Sequence, residues 1–152
     1  MTPSPSARLA FLDALVRAEV GLWNAADVAV TARCGISLAL LTALRVVAAR
    51  PGAARVQEVA DDIGITVGAA SKVVDRLERA ALVRRVPHPA DRRSSLLEVT
   101  DGGAAVLADG VDELDRQLAR YTGDLSAGQL AELTGRLEQL RDAAAQDAGR
   151  AR

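Results

Sequence analysis

Aromatic side chains are nearly missing from this 152-residue chain, with Phe11, Trp23 and Tyr121 making up 2% of it. A core without aromatic plates must come from Leu, Val, Ile and Ala, which favours packed helices. One cysteine, Cys34, excludes an intrachain disulfide framework. With one histidine and one cysteine, no His/Cys metal cluster of ordinary ligand number can be assembled, and neither metal nor cofactor is expected. No apolar run approaches the ~18 residues of a membrane span. Residues 1–8 (MTPSPSAR) lack the basic start and apolar run of a signal peptide. These absences lead us to expect a cytoplasmic protein without a membrane partner. A basic surplus is missing too: the net charge is −1 and the isoelectric point about 5.8. Nor does an enzyme emerge. Gly102-Gly103 follows a strand pattern but lacks the rest of a phosphate loop, and Asp61 and Asp62 are adjacent on a solvated helix rather than convergent.

What is present is helical periodicity. The expectation is a mainly α (α+β) chain with one core-bearing domain. Pro3 and Pro5 suggest a disordered start over residues 1–6. Leu9, Leu12, Val16, Val20, Trp23, Ala26 and Val30 then recur at spacings of three and four, one face of a long helix. Gly35 sits where a C-cap would. Ser37 caps a second helix to about Ala49, which Pro51-Gly52 breaks. Val56 to Ile63 reads as a short helix, Gly64 as a turn, and Thr66 as the cap of a helix over Val67–Arg79. Leu82–Val86 and Leu96–Val99 read as strands, with Pro87 and Pro89 opening the loop between them. Thr100 caps a helix striped by Leu107, Val111, Leu114, Leu118 and Tyr121, ended by Gly123. Ser126 caps a last helix striped by Leu130, Leu133, Leu137 and Leu140.

Charge is segregated along this pattern. Residues 66–95 hold Lys72, Arg76, Arg79, Arg84, Arg85, Arg92 and Arg93 against Asp75, Glu78 and Asp91, so the remainder is acidic. A positive face of this kind orients a protein on a polyanion. A helix-turn-helix followed by an arginine-tipped hairpin is a winged helix. In such a unit one helix offers short polar and small side chains to the major groove, and the hairpin reaches the backbone or minor groove with arginine. Val67 and Gly68 form the reading helix's exposed start. Ser71 and Lys72 lie one turn on, and Arg76 another. The small Gly68 and Ala69 would let the helix sit deep in a groove. The terminal helices carry more apolar surface than a small winged helix can cover, which points to a dimer of interlocking first and last helices. The expected organisation is residues 7–35 and 101–147 as dimerisation helices, 36–100 as the DNA-binding lobe, and 148–152 as a frayed tail.

The stretch VQEVADDIGITVGAASKVVDRLERAALVRRVPHPADRRSSLLEVTDGG, about 50 residues, resembles the MarR (multiple antibiotic resistance regulator) family of winged-helix repressors. Asp91-Arg92-Arg93-Ser94 with Leu97, Val99, Thr100 and Gly103 is similar to its wing signature. The resemblance implies that Arg93 enters the minor groove and that Asp91 positions the wing by pairing with an arginine. It places Thr66, Val67, Gly68, Ser71, Lys72 and Arg76 on the recognition helix, with Arg92 in the wing. It implies a homodimer on palindromic double-stranded DNA, with half-sites roughly 34–36 Å apart, and Leu9, Leu12, Val16, Leu130, Leu133, Leu137 and Leu140 in dimerisation. Three residues depart from the pattern. Ala81 stands where the family usually has Gly, His88 replaces a commoner acidic residue and adds positive charge to the wing, and Val99 replaces Leu.

The resemblance also implies a small aromatic acid as inducer. Arg17, Trp23, Asn24 and Asp27 are the candidate pocket, with core packing as the plainer reading of Trp23. Two alternatives stay open: a winged-helix scaffold that binds protein and not DNA, and a regulator sensing oxidants through Cys34. The second is disfavoured by the place of Cys34 near a helix C-terminus, where the dipole opposes a thiolate.

Overall fold

A computed structural model of the chain describes residues 4–90 and 94–150. Eight elements follow in order: α1 (Pro5–Cys34), α2 (Leu38–Ala48), α3 (Val56–Ile63), α4 (Val67–Arg79), β1 (Val83–Pro87), β2 (Ser95–Val99), α5 (Asp101–Thr122) and α6 (Ala127–Arg150). The fold is a mainly helical winged helix with one two-stranded antiparallel sheet. Among the described residues no single helix is long and apolar enough to cross a membrane.

Local capping accounts for most boundaries. Ser37 Oγ accepts from Leu40 N–H at 3.4 Å and Thr66 Oγ1 from Ala69 N–H at 3.2 Å, each filling an orphan donor of a first turn. At Ser126 the bond is reciprocal: its hydroxyl accepts from Gln129 N–H, and Gln129 Oε1 accepts from Ser126 N–H. Gly35 and Gly64 close α1 and α3 at φ 70° and 74°, a conformation that favours glycine. Three expected boundaries move. The start is not disordered through residue 6, because Ser4 caps α1 and Pro5 occupies its first turn, where a missing N–H costs nothing. Pro87 does not break the first strand but ends it, paired with Ser95. Where a tail is expected from 148, the alanine-rich run Asp142–Ala148 continues α6 to Arg150.

Two compact units divide the chain, residues 1–117 and 118–152. Within the first, the core is aliphatic: Leu44, Val47, Val59, Val74, Leu77, Val83 and Leu97 are fully buried where α2, α3, α4 and the hairpin meet. A smaller cluster joins Ala26 and Val30 of α1 to Leu38 and Leu41 of α2, with Leu107 and Leu114 of α5 against it. The helix α1 is therefore part of the same body as the lobe. Its apolar stripe is split: Val30 is 0% exposed and Leu9 64%. In the second unit, Leu130, Leu133, Leu137 and Leu140 of α6 are all exposed.

The hairpin is tied in at its base. β1 and β2 pair from Val83↔Val99 to Pro87↔Ser95, and Leu97 N–H also donates to Ala54 O at 2.8 Å in the loop before α3. Between α4 and β1, Ala81 is the sole non-glycine at positive φ among the described residues, at 55°. Its carbonyl accepts from Thr100 Oγ1 at 2.7 Å, while Thr100 N–H donates to Leu82 O at 3.1 Å. The same hydroxyl accepts from Gly103 N–H at 2.9 Å, capping α5. A Cβ on Gly103 would lie 2.0 Å from Leu82 O, so this contact requires glycine.

The left-handed backbone at Ala81 costs an L-residue about 1 kcal/mol. Ala81→Gly is therefore expected to raise stability by up to about 1 kcal/mol, less the extra unfolded-state entropy of glycine, read from the urea midpoint. Gly103→Ala should do the opposite, costing at least about 2 kcal/mol because backbone must shift to admit the methyl. An unchanged midpoint for Gly103→Ala would show that the α5 start is not locked against β1.

Candidate nucleic-acid interface

Helix α4 buries Ala70, Val74 and Leu77 against the core, which leaves Val67, Gly68, Lys72 and Arg76 exposed and Ser71 half-buried. Thr66, the N-cap, starts the helix at the same exposed end. Lys72, the chain's one lysine, and Arg76 make no ion pair among the described residues. A methyl on Gly68 would meet nothing within 4 Å, so no packing within the protomer demands glycine there.

The hairpin arginines behave differently. Arg85 reaches back from β1 to α4, with Nη2 donating to Asp75 Oδ1 at 2.6 Å and Nε to Glu78 Oε2 at 3.1 Å. Arg84 makes a two-pronged pair with cross-strand Glu98, at 2.9 and 2.7 Å. Two of the basic residues expected on the positive face are thus spent inside the lobe. In return Arg85 partly offsets the charge of Asp75 and Glu78 on α4, and Arg84 offsets that of Glu98. Charge composition alone missed this bracing. Its trace in the sequence is the i,i+3 spacing of Asp75 and Glu78 on one helix face. His88 is also engaged: Arg55 Nη2 lies 2.8 Å from its Nε2, tying the loop before α3 to the end of the hairpin strand. The His88 backbone N–H donates to Ser94 O at 3.2 Å beyond the strand pairs. Asp91, Arg92 and Arg93 lie outside the described residues.

The four candidate ligand residues are not brought together around a cavity within the protomer. Arg17 is exposed and faces Asp13, one turn back on α1. Trp23 and Asn24 are exposed. Asp27 Oδ1 accepts from Leu38 N–H at 2.7 Å, so its carboxylate fills the first donor of α2 and pins α1 to it. A cleft of about 350 Å³ lies elsewhere, lined by Val47, Pro51, Leu97, Glu98, Val99, Ala104 and Leu107 at the junction of α2, β2 and α5. It is mostly apolar, and its one charged lining residue is a carboxylate, so an acid entering it meets no cation. Burial pushes the Cys34 thiol up, and Asp109 and Glu113 add to this against the smaller opposing effect of Arg33. That is the reverse of what a reactive thiolate needs.

The structural role of Asp27 has a direct check. Asp27→Ala is expected to cost about 1 kcal/mol of stability through the lost cap. Asp27→Asn, which keeps the acceptor oxygen, should cost clearly less. Equal urea midpoints for wild type and Asp27→Ala would return Asp27 to the pool of uncommitted side chains.

Comparison with known proteins agrees with this geometry. Residues 35–94 match the model of the MarR family. Over 71 residues the chain is 35% identical to the HTH-type transcriptional repressor NicR of Pseudomonas putida; the match covers 46% of this chain and 44% of NicR, so it spans less than half of that relative. The fold superposes on a mutant MarR from E. coli complexed with operator DNA with a TM-score of 0.76 at 21% identity, over 91% of this chain and 99% of that one. It superposes on PcaV from Streptomyces coelicolor, solved in complex with its natural ligand, with a TM-score of 0.74 at 26% identity, over 95% and 99%. Residues 35–94, which hold the two-helix unit and β1, thus match the MarR family, and over nearly its whole length the chain has the fold of MarR.

Proposed function

We propose that this chain is a homodimeric transcriptional regulator that binds a palindromic DNA operator, represses from it, and releases it in response to a small molecule. The observation that carries the reading is the outer face of α4. It presents Lys72 and Arg76 free of ion pairs among the described residues, beside a small, uncluttered start at Thr66, Val67 and Gly68. Such a face suits a major groove: small residues admit the helix, Ser71 offers a hydrogen-bonding hydroxyl, and the two cations neutralise phosphates or reach guanine. Arg92 and Arg93 are the proposed wing contacts, with Arg93 in the minor groove and Asp91 positioning it. NicR's repressor role and MarR's complex with operator DNA support the same reading.

Dimerisation is proposed from the uncovered stripes. Leu9, Leu12 and Val16 of α1, and Leu130, Leu133, Leu137 and Leu140 of α6, are exposed in the single chain. Contiguous apolar faces of this kind invite association. Two-fold symmetry then presents two reading helices to half-sites roughly 34–36 Å apart. An effector shifts this state only if it binds the non-DNA geometry more tightly. The apolar cleft at the α2–β2–α5 junction, among the described residues, is the seat we propose for it. PcaV's complex with its natural ligand supports ligand control in this fold.

The test is fluorescence anisotropy with duplexes selected from a random pool, in excess nonspecific competitor and over a salt series. Binding should resist competitor and weaken steeply with salt as counterions are released. Lys72→Ala should lower the log–log salt slope by about one, whereas Arg84→Ala, whose charge is already spent on Glu98, should leave it near the wild-type value. Failure of a folded dimer to retain any duplex would discard the DNA reading in favour of a protein-binding scaffold.

A further inference from the structure

We infer that Val67 is a specificity-determining residue that recognises the 5-methyl group of a thymine in each half-site; this rests on the proposed DNA binding. Among the described residues of α2, α3, α4, β1 and β2, Val67 is the one large hydrophobic side chain left exposed, at 47%. All the others in these elements are buried or half-buried. The remaining exposed hydrophobics lie on α1, α5 and α6 or at Leu125, where association between chains would cover them.

Among the described residues, neither the helix cap nor the buried core accounts for a valine here. It is the first residue of α4, where the cap is supplied by Thr66 and the inward face begins at Ala70. A β-branched side chain is a mediocre helix former, so local propensity does not favour it either. Its neighbour Gly68 has helical backbone and open space around its absent Cβ, so that glycine is not demanded by packing or by a turn. An apolar knob thus stands beside a gap, one turn before Ser71 and Lys72, at the end of the helix that meets base edges in helix-turn-helix docking. On those edges the major groove offers one apolar feature, the thymine methyl. Gly68 lets the helix approach closely enough for the valine methyls to touch it, and water leaves both surfaces.

The test begins with a duplex selected from a random pool by the wild-type protein. Each thymine is then replaced in turn by deoxyuridine, which removes only the methyl. Loss of one buried methyl contact corresponds to about a fourfold rise in Kd. The expected result is one thymine per half-site whose replacement weakens wild type by about that factor. Val67→Ala should bind the thymine and deoxyuridine duplexes equally, and Val67→Thr, which keeps a γ-methyl, should remain sensitive. Tight binding in which no thymine responds, or in which Val67→Ala responds as wild type does, overturns the assignment to Val67 and leaves DNA binding standing. Recovery of no preferred duplex overturns both.

Discussion

The fold turns on the backbone knot at Thr100. Its N–H and hydroxyl hold the carbonyls of Leu82 and Ala81, and the same hydroxyl caps α5 through Gly103. These contacts place the end of α4, the start of β1 and the start of α5 within one hydrogen-bonded cluster. Ala81 bears a left-handed backbone there without the freedom of glycine, which persists because the surrounding bonds over-determine it. The close approach of Gly103 to Leu82 leaves little room for α5 to slide against the hairpin. The start of α5 is therefore joined to the end of α4 through backbone hydrogen bonds rather than through side-chain packing alone.

Electrostatics in the lobe follow from which charges are already paired. Arg85 holds two carboxylates of α4, and Arg84 holds Glu98 across the sheet. These pairs are partly exposed and contribute little stability each. Their larger effect is on the local field: Arg85 partly offsets the acidic charge of Asp75 and Glu78 on α4 and ties β1 to that helix. Lys72 and Arg76 make no ion pair among the described residues, while Asp75 and Glu78 are held by Arg85. In a chain of net charge −1, that local arrangement matters more than the total.

The long helix α1 shows how one stripe serves two purposes. Its last turns pack Ala26 and Val30 into the core with Leu38 and Leu41, and Asp27 fastens the junction by accepting from Leu38 N–H. Its first turns leave the same stripe bare at Leu9, Leu12 and Val16. A partner that covers the bare half is thereby linked, through a rigid helix, to the half that supports the lobe. The aliphatic composition suits this arrangement, because Leu and Val stripes interdigitate without needing polar atoms satisfied.

Most of the element pattern was legible in the chain itself. Ser37, Thr66, Thr100 and Ser126 announce helix starts, Gly35 and Gly64 announce stops, and the three-four spacing identifies the faces. Those signals are local: a cap needs only the next three residues, and periodicity needs only one helix. Ala81 was marked only by the resemblance, as an alanine where the family usually has glycine, and the structure gives it a positive φ. Long-range pairing was not legible. Whether Arg85 is a free cation or a brace, whether Asp27 meets a ligand or caps α2, and where the α1 stripe passes from core to surface each depend on side chains brought together from distant parts of the chain. The sequence by itself determined the helices, the hairpin and the candidate reading face. Only the tertiary structure decided which charges remain free to act there, because ion pairing and burial are properties of three-dimensional proximity, and no local pattern encodes it.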